Sequence, residues 1–200
     1  MITYAALSPH PPLIIPEIGQ ERVKEVQATV DGLRRMAQEL AETKPETIIF
    51  LTPHGNVFAD ALSSLGQPQL TGDLSGFGAR QTWSAANDLT LLQEIAQQSI
   101  EANLPFVIID DGTARKHRLN PNLDHGILVP LYYLQEAGLT DVSLVAISIA
   151  YLPVLDLYQF GTLLKTAADN VGRRVAILAS GDMSHRLKSD GPYHYHPDGP

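Results

Sequence analysis

Cysteine is absent from the 200 residues. That removes disulfides, thiolate nucleophiles and cysteine-ligated metals, so any metal here must be held by nitrogen and oxygen donors. Positive charge is scarce: 14 Lys and Arg stand against 22 Asp and Glu, a formal net charge of −8. A nucleic-acid surface needs clustered Lys and Arg, and this balance argues against one. The basic cluster Arg115-Lys116-His117-Arg118 lies in a stretch that reads as a solvated loop, with contact to an anionic substrate as the lesser reading. No apolar run approaches the length of a membrane span. The start, Met1-Ile2-Thr3-Tyr4, lacks a charged region followed by an apolar one, so no secretory signal is expected and the cytoplasm is the default compartment. There is no P-loop, and the turn at Gly181 is too sparse in glycine for a dinucleotide fingerprint. Internal repeats, low-complexity tracts and linkers are also lacking. With 44% hydrophobic and 18% charged residues, the composition is that of an ordinary globular domain.

What is present is an alternation of short apolar runs and helical periodicity. Segments 2–7, 47–52, 106–109, 142–149 and 174–180 read as strands, with a weaker one at 61–65. Thr47-Ile48-Ile49-Phe50-Leu51-Thr52 is a run rich in β-branched residues, as suits a central strand. Helical spacing of Val23, Val26, Val30, Leu33, Met36, Ala37 and Leu40 predicts a helix over 21–42, ended by Pro45. Further helices are expected over 86–102 with Ser84 as cap, over 127–136 ending at Gly138, and over 155–170 with Gly172 near its end. Segment 58–78 past the weak strand reads as an irregular excursion, and 110–124 as a long polar loop. The first half is a β-α-β unit, implying a parallel pair with a right-handed crossover. The fold class is α/β: a three-layer α/β/α sandwich around a mainly parallel sheet, in a single domain spanning 1–200.

Four histidines stand in turn-forming contexts: Ser8-Pro9-His10-Pro11-Pro12, Thr52-Pro53-His54-Gly55, Leu123-Asp124-His125-Gly126 and Gly181-Asp182-Met183-Ser184-His185-Arg186. Three follow predicted strands and the fourth opens a predicted helix. In an α/β sheet the carboxyl ends of strands are where ligands and catalytic groups collect. An isolated loop histidine satisfied by backbone is the ordinary reading of any one of them; four in the same topological position point to one site assembled by folding. His10 and His54 end two strands joined by one crossover, a placement suited to shared metal ligation. Two histidines are two thirds of the Fe(II) facial triad, and zinc with a third ligand and a water would serve hydrolysis instead. His125 and His185 suit proton transfer. Asp124 and Asp182 are placed to orient them, although capping the following helix explains Asp124 equally well. Ser184 lacks a nucleophile elbow, and His117, His194 and His196 read as solvated.

Taken together, Ser-Pro-His-Pro-Pro, Pro-His-Gly, Leu-Asp-His-Gly-x-Leu-Val-Pro-Leu and Ser-Gly-Asp-Met-Ser-His-Arg resemble, in order and spacing, the class III extradiol ring-cleaving dioxygenases. These are the LigB-type catalytic subunits, and the likeness is greatest to the Memo-associated AmmeMemoRadiSam subgroup. The resemblance implies that His10 and His54 bind Fe(II), that His185 is the acid/base histidine and that His125 lines the substrate pocket. It also implies a catechol-like aromatic diol and O2 as small-molecule partners, with ring opening next to the diol. A homo-oligomer or a partner subunit is in keeping with the family. The family's third ligand is a glutamate in a Gly-Glu-Cys-Gly-like segment beyond the late Ser-His-Arg motif, and the 200 residues stop short of it. The terminal Tyr193-His194-Tyr195-His196-Pro197-Asp198-Gly199-Pro200 accordingly reads as the cut edge of something longer. None of Glu17, Asp73, Asp110, Asp111 and Asp182 carries a motif that nominates it as a substitute.

Two other functions fit the same residues. One is a Memo-like non-enzymatic module that binds a metal or a partner in a histidine-lined pocket. The other is a zinc-dependent hydrolase. Aromatic residues make up only 6% of the chain, and Phe58, Phe77, Trp83 and Tyr193 are those placed near predicted pocket loops.

Overall fold

Runs of β-branched and aliphatic residues with no polar interruption are stable only when both faces of a sheet are covered, and in this chain both are. The computed structural model describes residues 1–199. Its elements in order are β1 (Ile2–Ser8), α1 (Pro16–Gly19), α2 (Gln27–Glu42), β2 (Thr47–Thr52), β3 (Leu62–Leu65), β4 (Gln69–Asp73), β5 (Thr82–Ala86), α3 (Leu89–Glu101), β6 (Phe106–Ile109), α4 (Asp111–His117), α5 (His125–Glu136), β7 (Ser143–Ser148), α6 (Val154–Asn170) and β8 (Val175–Ser180). Six strands form one sheet in the order β1-β8-β2-β7-β3-β6. Neighbours are parallel except β3 against β7. Side-chain alternation then divides the core. Ile48, Phe50, Leu144, Ala146, Ala176 and Leu178 face α2 and α5, while Ile49, Val145, Ile147 and Val175 face α3 and α6. The result is the three-layer α/β sandwich expected from the pattern.

Several local expectations are corrected. β1 and β2 are parallel but not adjacent, because β8 runs between them and pairs with both. The physical reason lies in burial: β8 is apolar and mostly buried, whereas β1 leaves Leu7 76% exposed and takes the edge. The helix predicted over 21–42 begins as a 3-10 segment, Gln20–Val26, entered through Gln20 at φ 49, and becomes α-helical only at Gln27. Ser84 does not cap α3; it lies in β5, and the Asp88 carboxylate accepts the Leu91 N–H instead. The excursion after β3 contains the antiparallel hairpin β4–β5. The predicted loop at 110–124 contains α4, capped by Asp110, which accepts from the Thr113 N–H. Its last turn holds Arg115, Lys116 and His117, the end of a helix where cations are favoured.

Because β1, β8, β2 and β7 all run the same way, Ser8, Ser180, Thr52 and Ser148 end together at one edge of the sheet. That edge carries the site.

Candidate metal centre

Each histidine is delivered by a different element. His10 follows β1, His54 follows β2, and His125 is the first residue of α5. The start of α5 is tied to the sheet through Asp124, whose Oδ1 accepts from the Gly126 N–H and from the Thr52 hydroxyl, both at 2.7 Å. Thr52 Oγ1 in turn accepts the His54 N–H at 3.2 Å. One short network therefore registers His54 against His125. Gly126 is required there, since a Cβ would fall 2.5 Å from Thr52 Oγ1 and 2.8 Å from Asp124 Oδ1. Asp124 acts as the cap of α5 rather than as a partner of the His125 ring.

One ring nitrogen from each of His10, His54 and His125 lies within 4.8 Å of the others. His10 Nε2 and His54 Nε2 are 2.8 Å apart, and the His54 and His125 ring centroids are separated by 4.1 Å. His10 is buried, His125 half-buried and His54 exposed, so the group opens to solvent on the His54 side. On the buried side His10 Nδ1 lies 2.7 Å from Ser180 Oγ. The Asp182 carboxylate sits alongside, 3.6 Å from His10 Nε2 through Oδ2 and accepting from the His10 N–H through Oδ1 at 3.5 Å.

His185 is held one step further out. Its Nε2 is 3.3 Å from Asp182 Oδ2, its side chain is half exposed, and its ring centroid lies 5.1 Å from that of Tyr193. Asp182 thus stands between His185 and His10. Phe77 also reaches the group, with its ring 5.3 Å from that of His125. Of the other aromatic candidates, Trp83 is buried in the core and Phe58 bridges in parallel to Ala150. His117 and His194 are exposed, and His196 pairs with Asp198.

Burial pushes the His10 imidazole below its ordinary value. Asp182 and Asp124 oppose that shift, while His54 and His185 deepen it. His125 is lowered likewise, by burial first and then by His54, against Asp124. Both effects favour the neutral ring, the form that can donate a lone pair to a metal.

The donor set fits a divalent cation. Metal–imidazole bonds of about 2.0–2.1 Å place neighbouring ligand nitrogens about 3 Å apart, close to the His10–His54 spacing. Imidazoles suit iron and zinc alike, and two carboxylates nearby add favourable charge. Ser180 and Thr52 were not anticipated as site residues. Each is a small polar residue ending an apolar strand, and its role shows only once its distant partner is in place.

The chain matches the family described as the catalytic LigB subunit of aromatic ring-opening dioxygenase over residues 4–199, and it belongs to that family. It is 32% identical over 197 residues to Protein CA_C1420 of Clostridium acetobutylicum, a match that covers 96% of this chain and 41% of that protein. The chain therefore spans about two fifths of the length of this curated relative. Among solved structures, that of uncharacterized protein JW3007 from Escherichia coli K12 aligns with a TM-score of 0.53 and 20% identity, covering 77% of this chain and 54% of that one. That likeness concerns the fold. No helix among the described residues is long and apolar enough to cross a membrane.

Proposed function

We propose that the protein is a non-haem Fe(II)-dependent extradiol ring-cleaving dioxygenase acting on a catechol-like aromatic substrate. The observation that carries this reading is the convergence of His10, His54 and His125 at the carboxyl edge of the parallel strands, in a chain of the LigB family. His10 and His54 would hold the metal, and His125 is within reach of the same position. Bound there, iron would supply adjacent open positions for an aromatic diol and for O2.

The chain's own residues account for the rest. His185 lies at the rim, where its imidazole can take a proton from a substrate hydroxyl and later return it. Asp182 sits against its Nε2 and holds the ring. Phe77 and Tyr193 provide aromatic faces beside His125 and His185, respectively. The exposed edge at His54 gives the substrate its entry.

The test is turnover by the full-length protein after anaerobic Fe(II) loading, across a panel of catechols, with and without O2. Oxygen-dependent ring-opened product that disappears in His185→Ala supports the reading. Absence of product from every catechol by an iron-replete protein overturns it. A second reading is favoured by one observation: three imidazoles are the donor set of one class of catalytic zinc site, which activates water for hydrolysis. Hydrolytic activity by the zinc-loaded protein, with none of the oxygen-dependent kind from the iron form, would select it.

A further inference from the structure

We infer that Ser180 is a positioning residue for the metal centre: its hydroxyl accepts the His10 Nδ1–H, which orients the ring and leaves the Nε2 lone pair for the metal. This rests on the proposed metal site and extends it to a residue outside the donor set.

The argument is one of hydrogen-bond counting. A neutral imidazole has one N–H donor and one lone-pair acceptor. Both nitrogens of His10 are engaged, Nδ1 with Ser180 Oγ at 2.7 Å and Nε2 with His54 Nε2 at 2.8 Å. To ligate, His10 Nε2 must present its lone pair, so the single proton of the neutral ring resides on Nδ1. Nδ1–H then donates to Ser180 Oγ, which fixes the direction of the ring and turns Nε2 toward His54.

The surroundings hold Ser180 to this task. It ends β8 directly beside the end of β1, in register with Ser8, and is 7% exposed. A Cβ on Gly126 would lie 3.3 Å from its Oγ, so the start of α5 packs on it. His10 itself is 3% exposed, which leaves water little access to Nδ1. Outer partners of this kind orient a ligating histidine, and their loss typically costs about 10–100-fold in metal affinity.

The experiment uses Zn(II) as a diamagnetic probe on the full-length protein with nitrogen-15-labelled histidine. Ring nitrogen shifts should place the His10 proton on Nδ1 with Zn(II) bound. Competition with a chelator should show Zn(II) binding weakened about 10–100-fold in Ser180→Ala and restored in Ser180→Thr, which keeps the hydroxyl. A Ser180→Ala protein that binds Zn(II) as wild type does overturns the inference while leaving the metal site standing. So does a Zn(II)-loaded protein in which His10 ligates through Nδ1 and keeps its proton on Nε2, a result that needs no variant to fold. A wild-type protein that takes up no Zn(II) and no Fe(II) overturns the metal site and this inference with it.

Discussion

His10 and His54 meet nitrogen to nitrogen at 2.8 Å although the strands that deliver them are not neighbours. β8 runs between β1 and β2, so the two rings close over the end of the strand that terminates in Ser180. The centre therefore depends on both the first and the last strand of the sheet. Either ring alone is an ordinary loop histidine; facing each other beside His125, they form a group of donors that a single cation could share.

Metal stoichiometry follows directly. After anaerobic loading and gel filtration, the protein should retain about one Fe(II) per chain, as one site of this kind takes one ion. His10→Ala and His54→Ala should each abolish retention. His125→Ala should weaken it by more than the about 10–100-fold typical of losing an outer partner, if its nitrogen is a ligand. Elemental analysis beside chelator competition reads both quantities. Undiminished affinity in His125→Ala would return that residue to lining the substrate pocket, the role implied by the family resemblance.

The lowered His10 and His125 set the pH response. Each has a folded-state value below the unfolded 6.5, mainly through burial, so the unfolded chain binds more protons in the window below 6.5. Stability of the metal-free protein therefore rises with pH through that window and is lost as pH falls through it. Asp182 and Asp124 narrow the window, while His54 and His185 widen it. Melting temperature of the metal-free protein should fall between about pH 7 and pH 5, and less steeply in His10→Asn, where one such group is gone. An identical slope in the two proteins would sink this assignment.

How much of this was legible beforehand depended on the range of the interaction. Strands such as Thr47–Thr52 declared themselves because a continuous apolar run covered on both faces leaves no other option. His10, His54 and His125 stood out because each follows or opens an element. Strand order did not, because inserting β8 between β1 and β2 is decided by contacts such as Ser8 with Ser180, more than 170 positions apart. The hairpin was hidden for another reason. Gln69-Leu70-Thr71-Gly72-Asp73 has a single aliphatic residue, so its alternation is too faint to separate from a loop, although Leu70 and Gly72 are both buried. Ser180 illustrates the same limit at the site: a serine ending a strand carries no signal until the histidine it touches has arrived.

Gly126 offers a test of the scaffold separate from the donors. In Gly126→Ala the new methyl would collide with Thr52 Oγ1 and Asp124 Oδ1, the two atoms that tie α5 to β2. Overpacking of this kind costs about 1–3 kcal/mol, and the displaced helix start should carry His125 with it and weaken metal binding. Gly32 in α2 is the control, since a Cβ there meets nothing within 4 Å. Gly32→Ala should be neutral or stabilise by about 0.5–1 kcal/mol with metal binding unchanged. Denaturant unfolding and metal titration of the two variants separate local crowding from a general intolerance of alanine.

Phe77 carries the prediction about substrate. It sits in a 3-10 turn, Ser75–Phe77, stopped by Gly78 at φ 93 and anchored by Asp73, which accepts the Ser75 N–H. The turn leaves the ring 47% exposed beside His125. An exposed aromatic face beside the proposed metal centre gives a flat aromatic substrate a surface to pack on. Aromatic pairing of this kind contributes about 0.5–1.5 kcal/mol beyond the area buried, so Phe77→Ala should raise KM for a catechol by up to about tenfold. Metal content should be unaffected, and kcat should change far less, because the ring packs beside His125 and carries no group that moves a proton. Phe77→Tyr should behave as wild type. A Phe77→Ala enzyme with unchanged KM would mean that the substrate lies against Tyr193 and His185 instead, and the matching Tyr193→Ala measurement would then show the loss.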